Sequence, residues 1–254
     1  MTLPAPAPIG GIDVQVHPSR AAMGRAAASV VAAKLRRLLR DGGSARMIFA
    51  AAPSQAEMLD ALVAEPGIDW GRVTAFHMDE YIGLAPDAPA RFALWLRRYL
   101  FDRLPFGAVH LIDPGDDPAA AAGAYARLLS EAPIDIVCLG IGVNGHLAFN
   151  DPPVADLTDP LDVKVVELDK VCRQQQVDDG CFPRLDAVPT HAITLTVPRL
   201  LRADRLVCVV PGAAKREAVR RALHDRIGAA CPATALRRHP AVTLFLDPES
   251  NPHG

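Results

Sequence analysis

The sequence predicts an α/β fold: a doubly wound, mostly parallel sheet flanked by helices, Rossmann-like, in a single domain over residues 1–254. Three observations carry that expectation. Apolar strand-like runs alternate with amphipathic helical stretches, the pattern that builds parallel sheets with helices on both faces. The run Ile134-Asp135-Ile136-Val137-Cys138-Leu139 breaks directly into the glycine-rich turn Gly140-Ile141-Gly142-Val143-Asn144-Gly145-His146. A second polar cluster, His77-Met78-Asp79-Glu80-Tyr81, also follows a strand-like run. Both clusters therefore belong at the carboxyl edge of the sheet, where open α/β sheets bind ligands.

Along the chain, Ser19 precedes an alanine-rich amphipathic stretch to Arg40, and Asp41-Gly42-Gly43 ends it as a glycine C-cap. Arg46 to Ala52 reads as a strand, with Ser54 the N-cap of the next helix. Arg72 to Phe76 reads as a strand, His77 to Pro89 as a loop, and Arg91 to Phe101 as an amphipathic helix. Val109 to Ile112 is a strand, Asp117 to Glu131 a helix, and Ile134 to Leu139 a buried strand. Val163 to Leu168, Ala192 to Val197, Leu206 to Val210 and Val242 to Leu246 read as strands, with a helix over Gly212 to His224. Pro152 to Asp162 and Asp169 to Pro189 read as irregular segments, of the length at which loops serve as lids or binding elements.

Composition excludes several functions. The net charge is −2 with no long charge run, which argues against nucleic acid or an anionic membrane as the main partner. No apolar run approaches a membrane span. The proline-rich start Met1 to Pro8 lacks the basic and apolar regions of a secretory signal. The five cysteines are odd in number, widely spaced and without a Cys-x-x-Cys pair, which reads as thiols in a reducing, cytoplasmic compartment. The sequence does not set the oligomeric state; a homo-oligomer is compatible with it.

The glycine turn presents His146 and, five residues later, Asp151. A carboxylate near an imidazole can orient and tune it for proton transfer, and Gly145 lets the backbone pass close to a ligand. Asp79 and Glu80 are adjacent acids that can supply a general base or hold a metal; the competing reading is a helix cap or a solvated loop. Ser54 and Gln55 can offer a hydroxyl and amides to a phosphate, or merely cap a helix. Lys215 follows Pro211-Gly212 at a helix start, where ammonium and amides together can hold an anion; alone it reads as a solvated lysine. No His-x-x-x-His or paired-cysteine spacing favours a metal, and no Gly-x-Ser-x-Gly elbow marks a serine hydrolase.

Met78-Asp79-Glu80-Tyr81-Ile82-Gly83-Leu84 and Gly140 through Pro152 together resemble the glucosamine-6-phosphate deaminase (isomerase) family, within a superfamily that includes 6-phosphogluconolactonases. The resemblance extends through Val188-Pro189, Ala192 to Val197, Gly212 with Lys215, and Cys231 to His239, and the Ala-Phe-Asn-Asp ending is similar to the deaminase branch. It implies that Asp79 moves a proton between C2 and C1 of an amino-sugar phosphate through an enediol. It implies that His146 assists ring opening with Asp151 supporting it, that Lys215 binds phosphate, and that no metal or organic cofactor is needed.

The chain departs from the family at the phosphate. Ala50-Ala51-Ala52-Pro53-Ser54-Gln55 replaces a Gly-rich loop with Thr-Pro, and Gln174 to Asp179 lies about where a clamping arginine is expected, leaving Arg173 as the substitute. Asp178 there would repel a phosphate if it pointed inward. Asn144 stands where some members have aspartate and can hydrogen-bond a sugar hydroxyl; Asp151 replaces a glutamate. The leading expectation is therefore an amino-sugar isomerase/deaminase whose substrate binds its phosphate differently or lacks one. A lactone hydrolase and a non-catalytic sugar-phosphate sensor are the alternatives.

Overall fold

The computed structural model describes residues 11–152 and 154–253, so the proline-rich start lies outside the described residues. Seven strands form one sheet: β1 (Ile12–Val16), β2 (Ala45–Phe49), β3 (Val73–His77), β5 (Ala108–His110), β6 (Ile136–Leu139), β9 (Arg205–Val210) and β10 (Val242–Leu246). Their order is β1-β10-β9-β6-β2-β3-β5, and every pairing is parallel. Three further strands, β4 (Asp79–Tyr81), β7 (Val163–Glu167) and β8 (His191–Leu195), form a separate antiparallel sheet in the order β4-β8-β7.

The helices are α1 (Arg20–Leu38), α2 (Ala56–Val63), α3 (Phe92–Leu96), α4 (Pro118–Ser130), α5 (Lys170–Asp178), α6 (Val197–Leu200) and α7 (Arg216–His224). They cover both faces of the parallel sheet. Ile136 and Cys138 pack with α1, α2 and α3 on one face, whereas Val137 and Leu139 pack with α4 and α7 on the other. That is why the central strand reads as an unbroken apolar run: alternate side chains enter two different cores. Ser19 caps α1 by accepting from the Ala22 amide at 3.2 Å, and Asp117 caps α4 from the Ala120 amide at 3.0 Å.

Several expectations are corrected. The segment after β3 is a strand, β4, because its backbone pairs with β8, Asp79 opposite Thr194. Residues 163–167 and 191–195 are strands of this small antiparallel sheet and not of the main one. The supposedly irregular 169–189 contains α5, capped by Asp169 accepting from the Val171 amide at 3.0 Å. The edge strand β1 is an addition. Ser54 makes no capping bond; it lies inside a single 3-10 turn, Pro53–Gln55, that leads into α2.

β2 runs onward to β3 and β5, while β6 sits on the other side of β2 and leads toward β9 and β10. The chain thus departs in opposite directions from the carboxyl ends of β2 and β6, which opens a crevice between them. Tyr125 of α4 pins the neighbouring β3 end. Its hydroxyl accepts from the His77 amide at 3.0 Å and lies 2.9 Å from the His77 carbonyl and 3.1 Å from that of His110. Tyr125→Phe leaves that buried amide without an acceptor. It is expected to lower the unfolding free energy by about 1–3 kcal/mol, measured by denaturant titration; an unchanged midpoint contradicts this.

Candidate active site

A cavity open to solvent occupies the β2/β6 crevice. Its walls come from the turn after β2 (Ala50 to Gln55), the β3–β4 junction (Met78, Asp79), the turn after β6 (Gly140 to Gly142, His146, Ala148, Phe149), α5 (Gln175, Gln176) and the start of α7 (Lys215). Asp79, His146, Ser54, Gln55 and Lys215 thus meet at one place, from four segments distant in sequence.

The pleat of β4 explains which acid enters. Successive side chains of a strand point to opposite faces. Asp79 lines the cavity, 6 % exposed, while Glu80 is fully buried on the other side. There the Glu80 carboxylate accepts from the amides of Tyr81, Phe92 and Ala93 at 3.0–3.1 Å and faces Arg91 at 3.5 Å. It is the cap of α3, so its expected place among the binding residues is corrected. Burial, followed by the nearby Glu80 charge, raises the Asp79 carboxyl well above the ordinary carboxylate range. No donor among the described residues reaches it, and a carboxylate in that state is a stronger base than a solvated one.

His146 is held in the opposite manner. Its Nδ1 lies 2.9 Å from Asp151 Oδ1 and 2.9 Å from Asn144 Oδ1. Asn144 donates its own Nδ2 to Asp151 Oδ1 at 2.9 Å and accepts the His146 amide at 3.0 Å. Asp151 is fully buried, which on its own would raise its pKa; hydrogen bonds from His146 and Asn144 outweigh burial and hold the carboxyl below its ordinary value. An ionised Asp151 is acceptor-only, which assigns the proton to Nδ1 and leaves Nε2 as the imidazole's working nitrogen. Asn144 and Asp151 contact His146 and do not line the cavity.

The glycines are there for shape. A Cβ at Gly142 would stand 2.1 Å from the imidazole ring, so only glycine lets the ring lie against this turn. Gly145 has φ +88°, and a Cβ there would sit 2.4 Å from Cys231 Sγ. It shapes the turn without lining the cavity, which corrects its expected place as a binding residue. Asn150 ties the loop down by donating to the Leu147 and Leu195 carbonyls, both at 2.8 Å, and Ala148 is held at φ +50° between them.

On the anion side, Lys215 is 8 % exposed, with no acidic partner within ion-pair distance among the described residues. Burial lowers its ammonium to about 8, against the pull of Asp179 and Cys172. The amides of Ala51, Ala52 and Ser54 have no acceptor among the described residues. Gln55 donates to the Val209 carbonyl at 3.1 Å and to Ser54 Oγ at 3.3 Å, which fixes the hydroxyl beside those amides. Arg173 is not part of this wall: it donates to the Leu185 and Val188 carbonyls, each at 2.8 Å, and lines a separate hollow with Lys170 behind Asp151. Its expected role as a phosphate clamp is corrected. The residues missed in the sequence are Gln175 and Gln176; Gln175 accepts the Val143 amide at 2.9 Å and so joins α5 to the glycine turn. The signal was an Asp169 cap ahead of a helix-compatible run.

His146, Asp151 and Cys172 bring possible ligand atoms within 4.8 Å of one another. The imidazole and carboxylate are bonded directly, so an ion could enter only by breaking that hydrogen bond.

Comparison with known proteins gives the family. The family model for glucosamine-6-phosphate isomerases/6-phosphogluconolactonase matches residues 18–245. The chain belongs to this family. It is 40% identical over 187 residues to a glucosamine-6-phosphate deaminase of an Exiguobacterium species, covering 72% of this chain and 70% of the relative. It is 33% identical over 209 residues to that of Listeria innocua, covering 82% and 87%. Among solved structures, a monomeric glucosamine-6-phosphate deaminase superposes with TM-score 0.86 at 27% identity, over 93% of this chain and 98% of that one. The 6-phosphogluconolactonase of Shewanella baltica shares the fold, with TM-score 0.78 at 21% identity over 95% and 100%.

Gly142→Ala is expected to push the imidazole off its seat while leaving the sheet intact. The downfield His146 Nδ1–H proton resonance checks this; its unchanged position in the variant contradicts the packing.

Proposed function

We propose that this chain isomerises and deaminates a 2-amino-2-deoxyhexose 6-phosphate, releasing ammonia and a ketose phosphate. One observation carries the reading: a carboxylate of raised pKa, unpartnered among the described residues, and an imidazole polarised by a buried carboxylate line the same cavity.

The chemistry follows from those two environments. His146 Nε2 takes the proton of the anomeric hydroxyl and returns one to the ring oxygen, which opens the sugar to the aldehyde. Asp79 then removes the C2 proton beside that carbonyl and returns it to C1 of the enolamine intermediate, while O1 takes up the proton that the C2 nitrogen gives up on becoming an imine. The nitrogen-bearing C2 becomes an imine, which takes up water and expels ammonia. Asp151 and Asn144 keep the imidazole in the tautomer this needs. Lys215, the Ser54 hydroxyl and the Ala51, Ala52 and Ser54 amides hold the phosphate, with a lysine and a backbone cradle in place of a guanidinium clamp.

The test is ammonia release across amino sugars with and without a 6-phosphate. Asp79→Asn is expected to lower turnover by about 10²–10⁴-fold, the usual contribution of a positioned base, with the fold retained. Full activity in that variant, or no ammonia from any amino sugar, overturns the reading.

The pH profile has a definite sign. Asp79 works ionised, so the acid limb of kcat/KM lies above the ordinary carboxylate range. Lys215 works charged, so affinity falls as pH rises through about 8. A bound phosphate stabilises the ammonium and moves that limb upward in kcat. Lys215→Met is expected to abolish the alkaline limb and raise KM by about 10–100-fold for phosphorylated substrates. An alkaline limb that survives the substitution contradicts the assignment.

A further inference from the structure

We infer that Cys172 is a positioning residue for proton transfer: its thiol donates to the second oxygen of Asp151 and completes a buried chain from Cys172 through Asp151 to His146. The inference rests on the proposed role of His146 in ring opening.

The carboxylate supplies the first observation. Asp151 Oδ1 already accepts from His146 and from Asn144 at 2.9 Å each. Oδ2 is buried and has no hydrogen-bond partner among the described residues, although the residue is fully enclosed. A buried carboxylate oxygen left without a donor is costly, more so than a neutral acceptor. The helix supplies the second. Cys172 is fully buried on α5, with its sulfur within 4.8 Å of the carboxylate and of an imidazole nitrogen. Burial and the Asp151 charge push the Cys172 thiol well up, so it stays protonated and remains a donor.

Position on α5 gives this contact a purpose. One turn further along, Gln175 and Gln176 reach the cavity wall, and Gln175 holds the Val143 amide of the glycine turn. The same helix thereby braces the imidazole's support from behind and the substrate cavity from the side. A second donor on Asp151 fixes the carboxylate plane, and with it the direction in which Nδ1–H must point. It also lowers the basicity of Asp151, so that the proton stays on the imidazole when Nε2 exchanges its own with the sugar.

Cys172→Ala and Cys172→Ser separate this role from simple packing. The serine keeps a donor at nearly the same volume; the alanine removes it. Cys172→Ala is expected to lower kcat by roughly tenfold with KM within about twofold, the scale of one hydrogen bond to a charged group. Cys172→Ser should recover most of that loss. A readout independent of substrate is the downfield Nδ1–H resonance of His146, identified by its loss in His146→Gln. It should move in Cys172→Ala and return toward the native position in Cys172→Ser. A native resonance and native kcat in the alanine variant overturn the inference, as does a serine variant impaired as fully as the alanine. If wild-type enzyme releases no ammonia while the resonance still responds to Cys172, the proposed reaction fails and the hydrogen-bond chain stands.

Discussion

Everything at this site depends on the divergence of the chain at the carboxyl ends of β2 and β6. Parallel strands deliver their following loops to one edge, and the reversal of strand order there leaves a gap that no helix closes. Asp79, His146 and Lys215 are separated by scores of residues, yet each lies just beyond a strand that ends at this edge. The small antiparallel sheet then fixes the finer detail. By pairing β4 with β8 it sets the pleat, which turns Asp79 inward and its neighbour away.

Two carboxylates in one site receive opposite treatment. Asp151 accepts from His146 and Asn144 on one oxygen and is kept ionised as a fixed negative charge behind the imidazole. Asp79 is desolvated with no donor and is left with an appetite for protons. In the proposed reaction this separation of environments gives one acid the orienting part and the other the chemistry. The proposed phosphate side is sparer: a single buried lysine and a short run of amides unpaired among the described residues, beside three neutral glutamines. An anion held this way depends on backbone shape more than on accumulated charge.

Much of this was legible in the chain. The apolar run into Gly140-Ile141-Gly142 announced a buried strand and a close-packed turn, and the polar clusters after β3 and β6 pointed to one edge. What escaped was set by tertiary pairing. β4 is three residues long and reads as loop, because only its contact with β8 makes it a strand. Glu80 looked equivalent to Asp79 until the pleat separated them. Arg173 looked available until α5 formed and turned it toward the Leu185 and Val188 carbonyls. The alternation Ile12-Asp13-Val14-Gln15-Val16 was a readable strand signal that the strong helix after it obscured.

The most direct measurement uses an amino-sugar phosphate deuterated at C2, with the label followed into the ketose product. The account requires that deuterium leave C2, that part of it appear at C1, and that its departure depend on Asp79. Deuterium retained wholly at C2, or lost at an undiminished rate when Asp79 is replaced by asparagine, would contradict it.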